Sequence, residues 1–135
     1  MSATHVLIVE DDDATREVLV DLLTDAGYTV YEAPDGKPAL ERLRAHPEGM
    51  VVLLDWMMPG IDGLAVLQAV AAESPLARRH SYILMSATGR WLPPEMTQLL
   101  KQLNVSSVPK PFDVDEMLAA VEKAASRLPE GPAYR

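Results

Sequence analysis

The sequence predicts a single doubly wound α/β domain, in which five flanking helices cover a five-stranded parallel sheet. Its 135 residues suffice for one hydrophobic core but not for two ordinary domains. Short apolar runs alternate along the chain with segments of helical spacing, which is the pattern of repeated βα units. Because these runs are continuous, we expect helices on both faces of each strand.

Five segments are predicted to be the strands of this sheet. Three of them are strongly apolar runs of four residues, one is weaker, and the fifth is short. In chain order they are residues 6–9, the weaker 28–31, 51–54, 82–85 and a segment that includes Ser107 and Val108.

Helix start and stop signals lie between these strands. The first helix is predicted over about residues 14–26, and Gly27 is placed to end it. Asp113 is a predicted N-cap for the last helix, with Glu116 three residues later completing a capping box. Two further helix starts are predicted at Asp35 and Pro94.

Composition narrows the classes of partner. With 20 acidic and 12 basic residues the net charge is −8, which repels nucleic acids and anionic lipids, so we expect no direct nucleic-acid or membrane partner. The chain has no cysteine, which excludes disulfide scaffolds and thiol chemistry. Without a long apolar run or a basic leader, the sequence leads us to expect a cytoplasmic protein.

Acidic residues follow two strands that such a sheet can place side by side. Glu10 and Asp11 follow the first strand, and Asp55 follows the third. If these strands are neighbours, the three carboxylates converge, and a cation is needed to neutralise them. An all-oxygen site favours Mg²⁺.

Simpler interpretations exist for some of these acids. Asp12 and Asp13 are better explained as residues that cap the first helix and complement its dipole. Glu10 and Asp11, taken alone, could equally be exposed loop acids. Asp55 ends a buried run and precedes a Pro-Gly loop, so its carboxylate is expected to bind a metal or act as a nucleophile.

Two further polar residues are expected at the same edge of the sheet. Ser86 ends the fourth strand and Lys110 follows the fifth. In isolation, each is more simply a loop hydroxyl or a solvated lysine. Together with a metal and the Asp55 carboxylate, they are the groups needed to accept and hold a phosphoryl group.

At these positions the chain resembles the receiver domains of two-component response regulators. The resemblance covers about residues 4 to 128 and implies the flavodoxin-like strand order 2-1-3-4-5. The matching motifs, in the family's order, are Val9-Glu10-Asp11-Asp12, Leu54-Asp55-Trp56-Met57-Met58-Pro59-Gly60, Met85-Ser86-Ala87 and Pro109-Lys110-Pro111-Phe112-Asp113.

The resemblance also implies a role for each site residue. Asp55 would be the phosphoacceptor, Asp11 a direct Mg²⁺ ligand and Glu10 a ligand acting mostly through water. The backbone carbonyl of Met57 would complete the metal site. The remaining implied roles are a switch hydroxyl at Ser86, a phosphoryl contact at Lys110 and a cis bond between Lys110 and Pro111.

The implied partners are a sensor histidine kinase or a histidine phosphotransfer protein, together with an unidentified output protein or domain. We expect a receiver domain over residues 1–128 and a tail or linker start over residues 129–135. Receivers usually carry an aromatic residue where this chain has Ser107. We therefore expect the signal to pass through Ser86 and Lys110 to residues 88–95, without an aromatic flip.

Two alternatives to a phosphorelay signalling module are compatible with parts of this pattern. A Mg²⁺-dependent aspartyl phosphatase similar to the haloacid dehalogenase group would need a second Asp two residues after Asp55, where this chain has Met57. Only slow self-dephosphorylation is then expected. A receiver that does not take phosphate ranks lower, because every required side chain is present.

His5, His46 and His80 are expected to be surface or core-edge residues.

Overall fold

The fold is a five-stranded parallel sheet, described by a computed structural model over residues 3–87 and 92–129. Its strand order is β2-β1-β3-β4-β5, and every neighbouring pair is parallel. Both the predicted fold class and the predicted order are confirmed. The strands are β1 His5–Val9, β2 Thr29–Ala33, β3 Met50–Asp55, β4 Ser81–Ala87 and β5 Ser106–Lys110.

Six helices, rather than the five predicted, lie in the described part of the chain. The extra one is α4, six residues that follow α3 almost directly. Pro75 explains the break, because a proline cannot donate the hydrogen bond that would continue α3. The helices are α1 Asp13–Asp25, α2 Gly36–Ala45, α3 Gly63–Ala72, α4 Ser74–Arg79, α5 Pro94–Gln102 and α6 Val114–Ser126.

Aspartates begin four of these helices. In each case the side chain accepts a hydrogen bond from a backbone N–H in the first turn, which stabilises the helix start. The capping residues are Asp12, Asp35, Asp62 and Asp113. The predictions for Asp12, Asp35 and Asp113 are thereby confirmed, and the cap at Asp62 is additional.

The apolar strands are buried on both faces, as their continuous pattern predicted. All six residues of β3 are buried. On one face, side chains such as Leu7 and Leu54 pack against α2, α3 and α5. On the other, Ile8 and Leu53 pack against α1 and α6. The sheet is therefore a rigid base whose carboxyl edge is free to carry polar residues.

His5 and His46 are both half-buried, as expected of core-edge residues, and they lie next to each other. Nδ1 of His5 and Nε2 of His46 are 2.8 Å apart, although 41 positions separate them in the chain. Both rings also pack against Tyr31, one tilted and one edge-on, with ring centroids 5.4 and 5.0 Å apart. Burial, followed by the proximity of His5, lowers the pKa of His46. This cluster lies at the amino ends of the strands, so it is not part of the carboxyl edge.

Three further findings concern a peptide bond, the length of the helices and the range of residues described. The Lys110–Pro111 peptide bond is cis, as expected. Within the described residues, no helix is both long enough and apolar enough to cross a membrane. Residues 88–91 of the segment expected to move, and residues 130–135 of the expected tail, lie outside the described part of the chain.

Candidate functional site

The sheet register brings the predicted site residues to one edge. Val9 of β1 is paired with Leu54 of β3, so the residues that follow, Glu10 and Asp55, meet where the two strands end. This edge is also the point where the strand order reverses direction, since β1 continues toward β2 and β3 continues toward β4. In open α/β sheets, ligands bind at this switch point.

Three carboxylates converge there as predicted. Oxygens of Glu10, Asp11 and Asp55 all lie within 4.8 Å of one another. Glu10 is 1% exposed and Asp55 is 5% exposed, whereas Asp11 is open to solvent. Glu10 is therefore not an exposed loop acid. The donor set consists of hard oxygen ligands, and Mg²⁺ prefers such ligands.

Lys110 connects two of these carboxylates. Its Nζ donates to Oε1 of Glu10 at 2.8 Å and to Oδ1 of Asp55 at 3.3 Å. Burial lowers the pKa of Lys110, but the hydrogen bond to Glu10 and the charge of Asp55 outweigh this effect and raise it overall. The ammonium is therefore held charged inside the site and is not a solvated surface lysine.

Even with this ammonium present, the site is short of positive charge. Burial and the negative charge of Glu10 raise the pKa of Asp55 to about 7, and the opposing effect of Lys110 is smaller. Two close carboxylates with restricted access to water oppose each other's ionisation. A divalent cation would supply the missing charge, so the residues present fit Mg²⁺.

The carboxylates open into a cavity of about 330 Å³. Ser86 and Lys110 reach it from β4 and β5, on the opposite side from the loop after β1. Every side chain singled out from the sequence for this edge lines the cavity. The lining residues are Glu10, Asp11, Asp12, Asp55, Met57, Ser86, Ala87 and Lys110.

Close backbone packing holds the Asp55 segment in place. A Cβ atom on Gly63 would lie 2.8 Å from the carbonyl oxygen of Asp55, so only glycine fits there. Gly63 donates its N–H to the carbonyl of Trp56 at 2.8 Å, and Trp56 donates to the carbonyl of Met85 at 3.1 Å. Sequence reasoning missed Gly63, because the close approach involves backbone atoms that no local pattern reveals.

At the carboxyl edge of this doubly wound sheet, acidic residues, a hydroxyl and an ammonium surround one buried aspartate. This combination of fold and site is typical of a class of phosphoacceptor domains. The family model described as the response regulator receiver domain matches residues 6–122. The chain belongs to this family, which confirms the resemblance seen in the sequence. Such domains are phosphoacceptors in two-component signalling rather than conventional enzymes.

Individual relatives agree with this assignment. The chain is 34% identical to the probable chemotaxis protein CheY of Rhizobium etli, over 91% of this chain and 93% of that protein. It is 35% identical to the DNA-binding transcriptional regulator NtrC of Escherichia coli, over 93% of this chain. The match covers only 25% of NtrC, so the chain spans about a quarter of that relative.

A solved structure shows the same fold. The CheY-like receiver domain protein of Methanospirillum hungatei superimposes with a TM-score of 0.75 and 30% sequence identity. The match covers 91% of this chain and 92% of that one.

Proposed function

We propose that Asp55 accepts a phosphoryl group from a phosphohistidine and that the phosphorylated domain presents an altered surface to an output partner. The donor would be a sensor histidine kinase or a histidine phosphotransfer protein. One observation carries the proposal: the Asp55 carboxylate is buried at the carboxyl edge of the sheet, beside the Lys110 ammonium and the acids Glu10 and Asp11.

A metal ion is part of this proposal. Carboxylates of Glu10, Asp11 and Asp55, with the backbone carbonyl of Met57, would hold Mg²⁺, with Glu10 acting mostly through water. When bound, Mg²⁺ neutralises charge on the phosphoryl oxygens, which is most of what phosphoryl transfer requires. Receiver domains in general use this ion.

The protein forms only one covalent bond during the transfer of the phosphoryl group. An oxygen of Asp55 forms the new bond to phosphorus as the bond between phosphorus and the donor nitrogen breaks, and the imidazole leaves with that electron pair. Lys110, already within 3.3 Å of Asp55, is placed to donate to a phosphoryl oxygen. Ser86 lines the same cavity and can donate its hydroxyl to another.

The free energy available from these two contacts is large enough to shift the domain between two conformations. A hydrogen bond to a charged group contributes about 1.5–3 kcal/mol, so Ser86 and Lys110 together could supply about 3–6 kcal/mol. Moving an equilibrium from about 1:99 to 99:1 takes roughly 5.5 kcal/mol. Ser107 is exposed and small, so we propose that the signal leaves through residues 88–95 without it.

Turnover of outside substrates is not part of the proposed function. A phosphatase of the aspartyl class needs an acid two residues after the nucleophile, and Met57 cannot transfer a proton. We therefore propose at most slow self-dephosphorylation. We also propose that the receiver unit covers residues 1–128 and that residues 129–135 form a tail or the start of a linker.

Phosphoryl donors of low molecular weight test the proposal. With Mg²⁺ and phosphoramidate, whose P–N bond is that of phosphohistidine, intact-mass analysis should show one added phosphoryl group that is labile in base. Asp55→Asn should lose it. Asp35→Asn is the matched control, because Asp35 caps α2 without lining the cavity, Asn caps a helix as well as Asp, and labelling should persist. Full labelling of Asp55→Asn would assign the role to another acid.

A further inference from the structure

Arg16 makes three directed contacts beside the metal site without lining its cavity. It lies on α1, and its side chain is only 17% exposed. Nη1 donates to the backbone carbonyl of Glu10 at 2.7 Å, Nη2 to Asp13 at 2.6 Å and Nε to Glu32 of β2 at 3.1 Å. The guanidinium therefore ties the loop after β1 to both α1 and β2.

The carbonyl that Arg16 holds belongs to the peptide group joining Glu10 to Asp11. Rotation of this peptide plane moves the Asp11 carboxylate relative to the rest of the site. The N–H of Glu10 is already fixed, because it donates to the carbonyl of Ala33 at 3.1 Å. Since Asp11 is exposed, core packing does not hold it in place. On the other side of this segment the N–H of Asp12 donates to Oε2 of Glu10 at 3.1 Å, and Arg16 holds the Glu10 carbonyl itself.

We propose that Arg16 is a positioning residue for the metal site, acting through the Glu10 carbonyl to place the Asp11 carboxylate. The proposal rests on the proposed function, because it assumes that Asp11 binds Mg²⁺. Asp13 and Glu32 aim the guanidinium at this carbonyl from two directions. Arginine suits the task because its planar fork donates along several fixed directions at once, which a lysine ammonium does not.

The direction in which the Mg²⁺ affinity changes distinguishes a positioning role of Arg16 from a purely electrostatic one. Arg16 carries a positive charge beside the loop that holds Glu10 and Asp11, so by charge alone it repels Mg²⁺. Removing that charge would then tighten Mg²⁺ binding. If Arg16 positions Asp11, its removal weakens binding instead. Loss of a residue that orients a metal ligand typically lowers metal affinity by about 10- to 100-fold.

The experiment compares Arg16→Gln with Arg44→Gln by Mg²⁺ titration. Arg44 forms an exposed pair with Glu73 in the last turn of α2, so its variant has the same change in charge away from the site. Titrations follow Trp56 fluorescence in a Trp91→Phe background and are repeated by calorimetry. We expect about tenfold weaker binding for Arg16→Gln and unchanged binding for Arg44→Gln.

Arg16→Lys supplies a second test that does not depend on losing charge. It keeps the charge but not the fixed fork, so its Mg²⁺ affinity should also fall below that of the parent. Urea unfolding without Mg²⁺ reports separately on folding. Parent-like or tighter binding in either Arg16 variant overturns the positioning role. A parent protein that does not bind Mg²⁺ at all overturns the proposed metal site and this inference with it.

Discussion

The backbone N–H of Met50 donates a 3.0 Å hydrogen bond to Nδ1 of His80, joining the start of β3 to the residue before β4. Nε2 of the same ring lies 3.0 Å from the carbonyl oxygen of Leu43 in α2. A carbonyl only accepts, so Nε2 must carry the proton and Nδ1 must not. His80, which is 4% exposed, is therefore a neutral structural residue at the amino edge of the sheet.

Stability should consequently depend on pH through His80. Burial lowers its pKa from 6.5 to about 4, so below pH 6.5 the unfolded chain binds a proton that the folded protein does not. The free energy of unfolding should fall as pH drops from 6.5 toward 4. Since one pKa unit corresponds to about 1.36 kcal/mol, the loss is up to roughly 3 kcal/mol. Urea unfolding across this range measures it.

His80→Gln provides the comparison for that measurement. The variant retains every carboxylate of the parent, so the difference between the two pH profiles isolates the histidine. We expect the variant to be less stable at pH 7.5 and the gap to narrow toward pH 4. Parallel profiles would show that His80 does not titrate in this way.

Asp55→Asn should stabilise the protein in the absence of metal. The pKa of Asp55 is raised above its unfolded value, so its ionisation in the folded state becomes unfavourable as pH rises from about 4 through 7. An uncharged amide removes this effect. In EDTA at pH 8 the variant should melt at a higher temperature than the parent, and added Mg²⁺ should narrow the difference by stabilising only the parent. A lower melting temperature for the metal-free variant would argue against a charge conflict at this site.

We expect Mg²⁺ to quench the fluorescence of Trp56, the residue after Asp55, and Asp11→Ala to abolish this quenching. The change removes the exposed carboxylate of the cluster, while the fold should tolerate it because Asp11 is not part of the core. Titration in the Trp91→Phe background measures the effect, with Asp35→Asn, a helix cap outside the cavity, as the variant expected to bind normally. An unchanged titration curve for Asp11→Ala would place the ion elsewhere.

Ser86→Ala should block the transmission of the signal. Beryllofluoride mimics the phosphoryl group on Asp55, and in the parent it should change hydrogen exchange in peptides covering residues 88–95. The Ser86 variant should bind the mimic but lose this change, because one of the two contacts to the phosphoryl group is gone. The same change in both proteins, or none in the parent, would contradict the proposed route.

The sheet and the main site were predictable because their signals are local. A strand that is buried on both faces has a continuous run of apolar residues in the sequence. The acids Glu10 and Asp55 directly follow such runs. Once strands one and three are neighbours, these carboxylates have to meet. Helix caps such as Asp113 were predictable for the same reason, since the capping residue and its partner lie within one turn.

Features that depend on tertiary contacts were not predictable in this way. The six-residue helix α4 is too short to show an apolar period, and only Pro75 marks the break before it. His5 and His46 meet because β1 and the end of α2 lie together. The three contacts of Arg16 come from a loop, a helix and a neighbouring strand, so no single segment reveals them.

The loop after Asp55 is closed at its base, because the N–H of Gly63 is bonded to the carbonyl of Trp56. Between these residues, Met57 is 55% exposed and Ile61 is 36% exposed. Substitutions at such positions would change the surface beside Asp55, the proposed phosphoacceptor, without altering the hydrogen bond that closes the loop. The surface of this loop can therefore vary independently of the buried carboxylates of the site.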